Sequence, residues 1–271
     1  MKKLLFLIFC FSRVLAGLPV QDHQIDRMAL SELATAFDIS PEADIVAETQ
    51  KRWLRKAGLE LWEVDELSSD QRRFVLDWAA KQGMFLPWRP SLEHYDVAVI
   101  LGATTPRMQL RLDYLKQLWA DGVRFDKVVW LTGDRPLDPR IDHFIDRCHL
   151  EQEAARIIWE ETDLPEAMHR LPVLFFAAPM KKEGGVLKRP GREDTVAAWL
   201  QTEPAPCTAL FVANQPFCGQ QFAVIKACLP KTFHFDFAGP GMDPAEYSAA
   251  AAITLDSLAR WIYQEQLSAG N

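Results

Sequence analysis

Two short stretches of this sequence bring glycine, hydroxyl and guanidinium groups together in the way that anion binding requires. Gly102-Ala103-Thr104-Thr105-Pro106-Arg107, continued by Arg111, offers a glycine for close backbone approach, two hydroxyls, and two arginines about one helical turn apart. Thr132-Gly133-Asp134-Arg135 adds a second glycine, a carboxylate able to accept from a hydroxyl, and a guanidinium able to hold a carboxylate or phosphate. Neither stretch is a G-x-G-x-x-G fingerprint or a P-loop, so the chemistry implied is anion binding without a named nucleotide motif. A helix opening at Thr104–Arg107 would add its own free N–H groups and partial positive charge. The competing account is structural: Gly102 makes a turn and the arginines pair with surface acids.

Other residues could serve catalysis. Cys218, in Asn214-Gln215-Pro216-Phe217-Cys218-Gly219, falls where a strand meets a helix, and a helix N-terminus favours the thiolate. Asp142, Asp146 and His149 stand at i, i+4 and i+7 and with Asp138 would suit a hard or borderline cation. That spacing is equally the mark of a solvated helix face, and nothing nearby supplies a second cluster, so no metal site is expected. There is no G-x-S-x-G nucleophile turn.

Positioning these groups requires strands that end where they begin. Val97–Leu101 and Val128–Leu131 are near-continuous apolar runs, as strands buried on both faces must be, and the helix-period stretch between them is long enough to cross over. Glu151–Glu160 then reads as a helix, Val173–Ala177 as a strand, Asp194–Leu200 as a helix, Ala209–Ala213 as a strand, Gln220–Cys228 as a helix, Phe233–Phe237 as a strand and Pro244–Gln266 as a closing helix. Such alternation predicts a doubly wound, mostly parallel α/β sheet of Rossmann-like kind over 91–271, with ligand groups outside the carboxyl ends of the strands. Lys181–Arg192, with two glycines and several charges, reads as a loop able to act as a lid.

Residues 17–90 read differently. Ser40-Pro41-Glu42 has the form of a helix start, and Ser68 with Gln71 that of a capping box, so this part is expected to be a helical extension. Trp53, Trp62, Trp78 and Trp88 fall in or near its helices, where indoles pack one layer on another or, alternatively, offer a stacking platform. Pro87-Trp88-Arg89-Pro90 closes it as an extended linker.

Lys2-Lys3, the apolar run Leu4–Phe11 and the small residues of Val14-Leu15-Ala16 form the pattern of a cleaved secretory signal over 1–16. The apolar run is well short of the roughly 20 residues of a spanning helix, so no transmembrane anchor is expected after cleavage. The expected location is periplasmic or secreted. Three of the 30 basic residues and none of the 37 acidic ones leave with the signal, taking the formal charge from −7 to −10. An acidic chain in which Lys181-Lys182 and Lys188-Arg189 are the only basic clusters worth naming, with no basic stripe, is not expected to bind nucleic acid. Cys148, Cys207, Cys218 and Cys228 remain, with spacings that permit a disulfide without assigning one.

The order of motifs from about Tyr95 to Pro230 resembles the YdcF/SanA/ElyC-type bacterial domain family. A strand ending in Leu101-Gly102 precedes an arginine-led helix at Arg111, and Leu131-Thr132-Gly133 matches that family's second glycine turn. Glu153-Ala154 resembles its Glu-Ala pair, Thr195 its threonine before a later helix, and Phe211-Val212-Ala213-Asn214 its late strand-turn. The resemblance implies a role in envelope processes, binding of a phosphorylated or nucleotide-like ligand, and places for Thr195 and Asn214 at the site and for Glu153 beside Asp134 in orienting substrate. Ala198 stands where the family has asparagine, and Phe217 and Gln220 stand where it has histidine and arginine, which implies altered or lost catalysis.

The expectation is therefore an exported protein that binds a small anionic ligand at Gly102, Thr104, Thr105, Arg107, Arg111, Thr132, Gly133, Asp134, Arg135, Thr195 and Asn214. Asp134, Glu153 and Cys218 are its candidate catalytic groups, and no cofactor is assigned beyond a nucleotide-like ligand. The alternative is an inert secreted protein that meets a protein partner through the tryptophan-rich extension.

Overall fold

The computed structural model describes residues 20–21, 24–25, 27–56, 59–60 and 67–269; the expected signal over 1–16 and Trp62 lie outside them. In chain order the elements begin with β1 Val20–Gln21, β2 Gln24–Ile25, α1 Arg27–Thr35, α2 Ile45–Trp53 and α3 Ser69–Lys81. Then come β3 His94–Tyr95, β4 Val97–Leu101, α4 Thr105–Ala120, β5 Arg124–Phe125, β6 Val128–Gly133, α5 Glu151–Glu161, α6 Glu166–His169 and β7 Val173–Ala178. The hairpin β8 Lys181–Glu183 and β9 Val186–Lys188 leads into α7 Arg192–Leu200, β10 Thr208–Val212, α8 Cys218–Cys228, β11 His234–Ala238, a 3-10 turn Pro244–Glu246 and α9 Ala250–Ala269.

Five strands form one sheet in the order β11-β10-β4-β6-β7, and every pairing in it is parallel. Every residue of β4 and β6 is buried, which is why both read as unbroken apolar runs. Alternate residues of these strands face opposite ways. Ala98, Ile100, Val128 and Trp130 pack with Met108, Leu112 and Leu115 of α4 and Ala154 and Ile158 of α5. Val97, Val99, Val129 and Phe211 pack with Val196 and Trp199 of α7 and Ile225 of α8. Helices therefore cover both faces, as a Rossmann-like doubly wound fold requires.

The extension shares its core with the sheet domain. Leu30, Leu33, Val46, Trp53, Val75 and Trp78 pack against Leu255, Leu258, Trp261 and Ile262 of α9 and against Ala223 of α8. Trp53 and Trp78 are thus interior residues, with no indole face left as a platform, and Trp88 packs edge-on against Phe222, Phe237 and Trp261. Pro87–Pro90 is extended as expected, and Trp88 exchanges backbone hydrogen bonds with Gly239.

Several local expectations are corrected. The first of the two expected helix starts is displaced: Ser40–Glu42 is a turn, and α2 is capped by Asp44, whose carboxylate accepts from Val46 N and Ala47 N. The second is as read, with Ser68 and Gln71 bonding reciprocally. Lys181–Arg192 is chiefly a hairpin, because Gly184 and Gly185 at φ +58° and +82° supply the two left-handed residues of a tight turn. The segment from Asp138 to His149 is irregular, so its acids do not share a helix face. Cys148, Cys207, Cys218 and Cys228 are free thiols. No helix among the described residues is long and apolar enough to cross a membrane.

Candidate functional site

Neighbouring strands β4 and β10 send their following helices, α4 and α8, to opposite faces of the sheet. A crevice opens outside their carboxyl ends at such a switch point. It has a volume of about 320 Å³ and is bounded by the turns after β4 and β6 and by the first turns of α4, α7 and α8. Among the described residues seven arginines and three carboxylates line it.

One part of this charge is neutralised internally. Arg135, just beyond β6, donates from Nη1 to Asp142 Oδ2 at 2.7 Å, from Nη2 to Asp142 Oδ1 at 3.2 Å and from Nε to Glu151 Oε2 at 2.9 Å. Burial works against its charge, but the two carboxylates more than reverse that and hold the guanidinium above its ordinary value. Asp142 also accepts from Thr105 N and Asp138 N, both at 2.8 Å. Burial alone would raise its pKa; Arg135 and the two amides outweigh burial and keep it below the usual carboxylate value. Glu151 accepts from Gly133 N at 3.3 Å, yet burial wins there and its pKa lies above the ordinary one.

Asp142 changes the expected role of α4. Its carboxylate occupies the start of that helix, Pro106 has no N–H, and Thr104 makes no side-chain cap bond. The anion at this helix N-terminus is the protein's own, so the start of α4 has less to offer a foreign anion than its place on the rim suggests.

The side chains available are Arg107, Arg111 and Arg192. Arg111, 1% exposed, donates from Nε and Nη2 to Asn214 Oδ1 at 3.0 and 2.8 Å and from Nη1 to the carbonyls of Leu101 and Gly102. Arg192 Nη2 donates to Gly102 O at 2.9 Å, and the Arg107 guanidinium lies 4.7 Å from the centre of the Phe217 ring. None of the three forms an ion pair with a carboxylate among the described residues. Burial lowers the pKa of all three, and Arg111 falls furthest because Arg192 and Arg107 add like-charge repulsion.

The outer wall comes from chain segments far apart in sequence. Arg55 N donates to Asp256 Oδ1 at 3.1 Å, Arg260 grips the same carboxylate from the next turn of α9, and Glu60 pairs with Arg189 at 2.7 Å. None of these five was anticipated. Asp256 and Arg260 at i, i+4 were a visible helix pair, and Arg189 a visible charge beside the hairpin, but nothing local linked either to the rim. Gln220 and Gln221 of α8 complete the lining, with Gln221 Oε1 buried and unpartnered among the described residues.

Of the expected ligand residues, Gly102, Thr104, Arg107, Arg111, Gly133, Arg135 and Thr195 line the crevice. Thr105, Thr132, Asp134 and Asn214 do not. Thr105 is taken up by Asp142 and by His143 N, Thr132 Oγ1 donates to Phe176 O, Asp134 accepts from Gln152, and Asn214 acts through Arg111. Both glycines are demanded by space: a Cβ on Gly102 would lie 2.8 Å from Leu131 O, and one on Gly133 would lie 2.6 Å from Pro190 Cγ.

The catalytic candidates move apart. Glu153 is exposed and accepts from His149 N and Leu150 N at the start of α5; its neighbour Glu151 is the acid in the crevice. Burial pushes the Cys218 thiol up to about 12, the reverse of what a thiolate nucleophile needs. Asp142, expected on a solvated face, is buried and paired with Arg135. Among the described residues no group of three or more His, Cys, Asp or Glu is arranged to hold a metal ion. Phe217 and Gln220 line the crevice. Comparison with known proteins found no matching family model, curated protein or solved structure.

Proposed function

We propose that this protein binds a small organic anion, phosphorylated or nucleotide-like, in the crevice beyond β4 and β10, and that Arg107, Arg111 and Arg192 hold it. The observation that carries this reading is the contrast in charge pairing. Arg135 has two carboxylates, whereas among the described residues the three other guanidiniums hydrogen-bond or stack only with carbonyl, amide and aromatic groups, and Arg192 and Arg107 both add to the lowering that burial imposes on the pKa of Arg111. A dianion among them would relieve that repulsion and accept charge-assisted hydrogen bonds from rigidly held donors. Arg111 is fixed by Asn214 and the end of β4, so part of the ordering cost is met before a ligand arrives.

Of the carboxylates lining the crevice, Glu151 is the one that burial raises above its ordinary pKa. With its pKa raised, it can exchange a proton nearer neutrality than an ordinary glutamate can. Export, a place in envelope metabolism, and membership of the YdcF/SanA/ElyC-type family belong to the same proposal and rest on the sequence.

Inorganic phosphate and nucleoside mono- and diphosphates should raise the melting temperature beyond chloride at equal ionic strength. At a hundred times Kd the gain corresponds to about 2.7 kcal/mol. Arg107→Ala and Arg192→Ala should each weaken the response by roughly tenfold or more in Kd, the worth of a charge-assisted hydrogen bond. A parent protein indifferent to every phosphate would sink the reading.

A further inference from the structure

A second cavity, also about 320 Å³, lies against the arginine crevice, and the two share Thr104 and Arg107 as lining. Its chemistry is different. Leu110, Ile141, Ala249 and Ile253 make it apolar, Tyr247 adds an aromatic ring, and Arg107 is the only cation lining it among the described residues. Glu246 stands in its wall and repels any second negative group there.

Resting on the anion-binding reading, we propose that the ligand is an organic phosphate whose substituent is a neutral, planar ring, with the phosphate among the arginines and the ring in this second cavity. Arg107 is the joint between the halves. Its planar guanidinium lies against Phe217, and guanidinium planes stack on rings as well as pairing with anions. A cavity of this size sits at the small end of ligand sites, which suits one compact ring better than a long acyl chain. A freely hydrated substituent such as glycerol would leave the apolar wall unused.

The test is titration calorimetry of the full chain with inorganic phosphate, glycerol 3-phosphate, phenyl phosphate, octyl phosphate and phenol at constant ionic strength. Phenyl phosphate should bind about tenfold more tightly than glycerol 3-phosphate, the gain expected from burying a ring. Leu110→Ser should remove that gain while leaving inorganic phosphate unchanged. Ile141→Ser, at the cavity's other side, serves the same end if the first variant does not fold. Equal affinity for phenyl and glycerol phosphates, with inorganic phosphate still bound, overturns this inference alone. Tighter binding of octyl phosphate overturns the ring, and phenol binding as well as phenyl phosphate overturns the coupling of the two cavities. If no phosphate binds, the anion reading fails and this inference fails with it.

Discussion

Arg135 and Arg111 stand on the same rim and are nearly equally hidden, at 6% and 1% exposure, yet they are neutralised in opposite ways. Arg135 is clamped by Asp142 and Glu151; Arg111 meets only the oxygens of Asn214, Leu101 and Gly102, with Arg107 and Arg192 close enough to repel it. Cations buried at one address therefore do two jobs. A guanidinium with carboxylates fastens the turn after β6 to the start of α4 and to α5, and on the proposed reading the guanidiniums without them keep charge available for a ligand.

The largest effect should come from breaking the paired side. Asp142→Ala removes one of Arg135's two carboxylates and leaves Thr105 N and Asp138 N without their acceptor. It should cost about 3 kcal/mol in chemical denaturation, at the low end for a broken buried pair because Glu151 remains. Arg107→Ala, on the unpaired side, should lose no more than about 1 kcal/mol, the worth of stacking on Phe217, since like-charge repulsion is relieved at the same time. Matching stability losses in the two variants would erase the distinction.

A smaller effect separates the two carboxyls on Arg135. Asp142 has a folded pKa below its ordinary value of 3.8, so its stabilisation is complete above that value and disappears as pH falls through the folded one. Glu151 has a folded pKa above 4.5, so it carries a penalty at neutral pH that is relieved as acid protonates it. Relative to Glu151→Gln, the parent should gain stability on acidification towards the folded pKa of Glu151. Relative to Asp142→Asn, it should lose stability below pH 3.8. Denaturation midpoints across that pH range, run for all three proteins, would expose the opposite slopes or their absence.

The sheet was legible because β4 and β6 are buried on both faces, which writes itself into sequence as unbroken apolar runs. The turns that follow β4 and β6 were legible for the same reason, and so were Gly102, Gly133 and Arg107 on the rim; Arg135 was legible there too but was read as a ligand holder, where the fold pairs it with Asp142 and Glu151. Asp142 was misread because spacing alone suggested a helix face, where the chain is irregular and folds the acid back onto Thr105 and Arg135. The outer wall was invisible because Arg55 meets Asp256 across 201 residues, and such a contact leaves no local periodicity. The extension looked separable, but its apolar faces are completed by α9 from the other end of the chain.

The smallest prediction concerns two glutamates of the same helix turn. From sequence, Glu153 was the acid expected to orient substrate; in the fold it is exposed and bonds the amides of His149 and Leu150, while Glu151 turns into the crevice beside Gly133. Removal of an exposed cap of this kind costs about 0.5–1 kcal/mol. Glu153→Ala should therefore lower the denaturation midpoint slightly and leave phosphate affinity where it was. Glu151→Gln keeps the shape but removes the charge, so it should change phosphate affinity and its pH dependence through the loss of a nearby negative group. If Glu153→Ala altered binding and Glu151→Gln did not, the site would extend along the exposed side of α5, and the division between paired and unpaired arginines would no longer mark where the ligand sits.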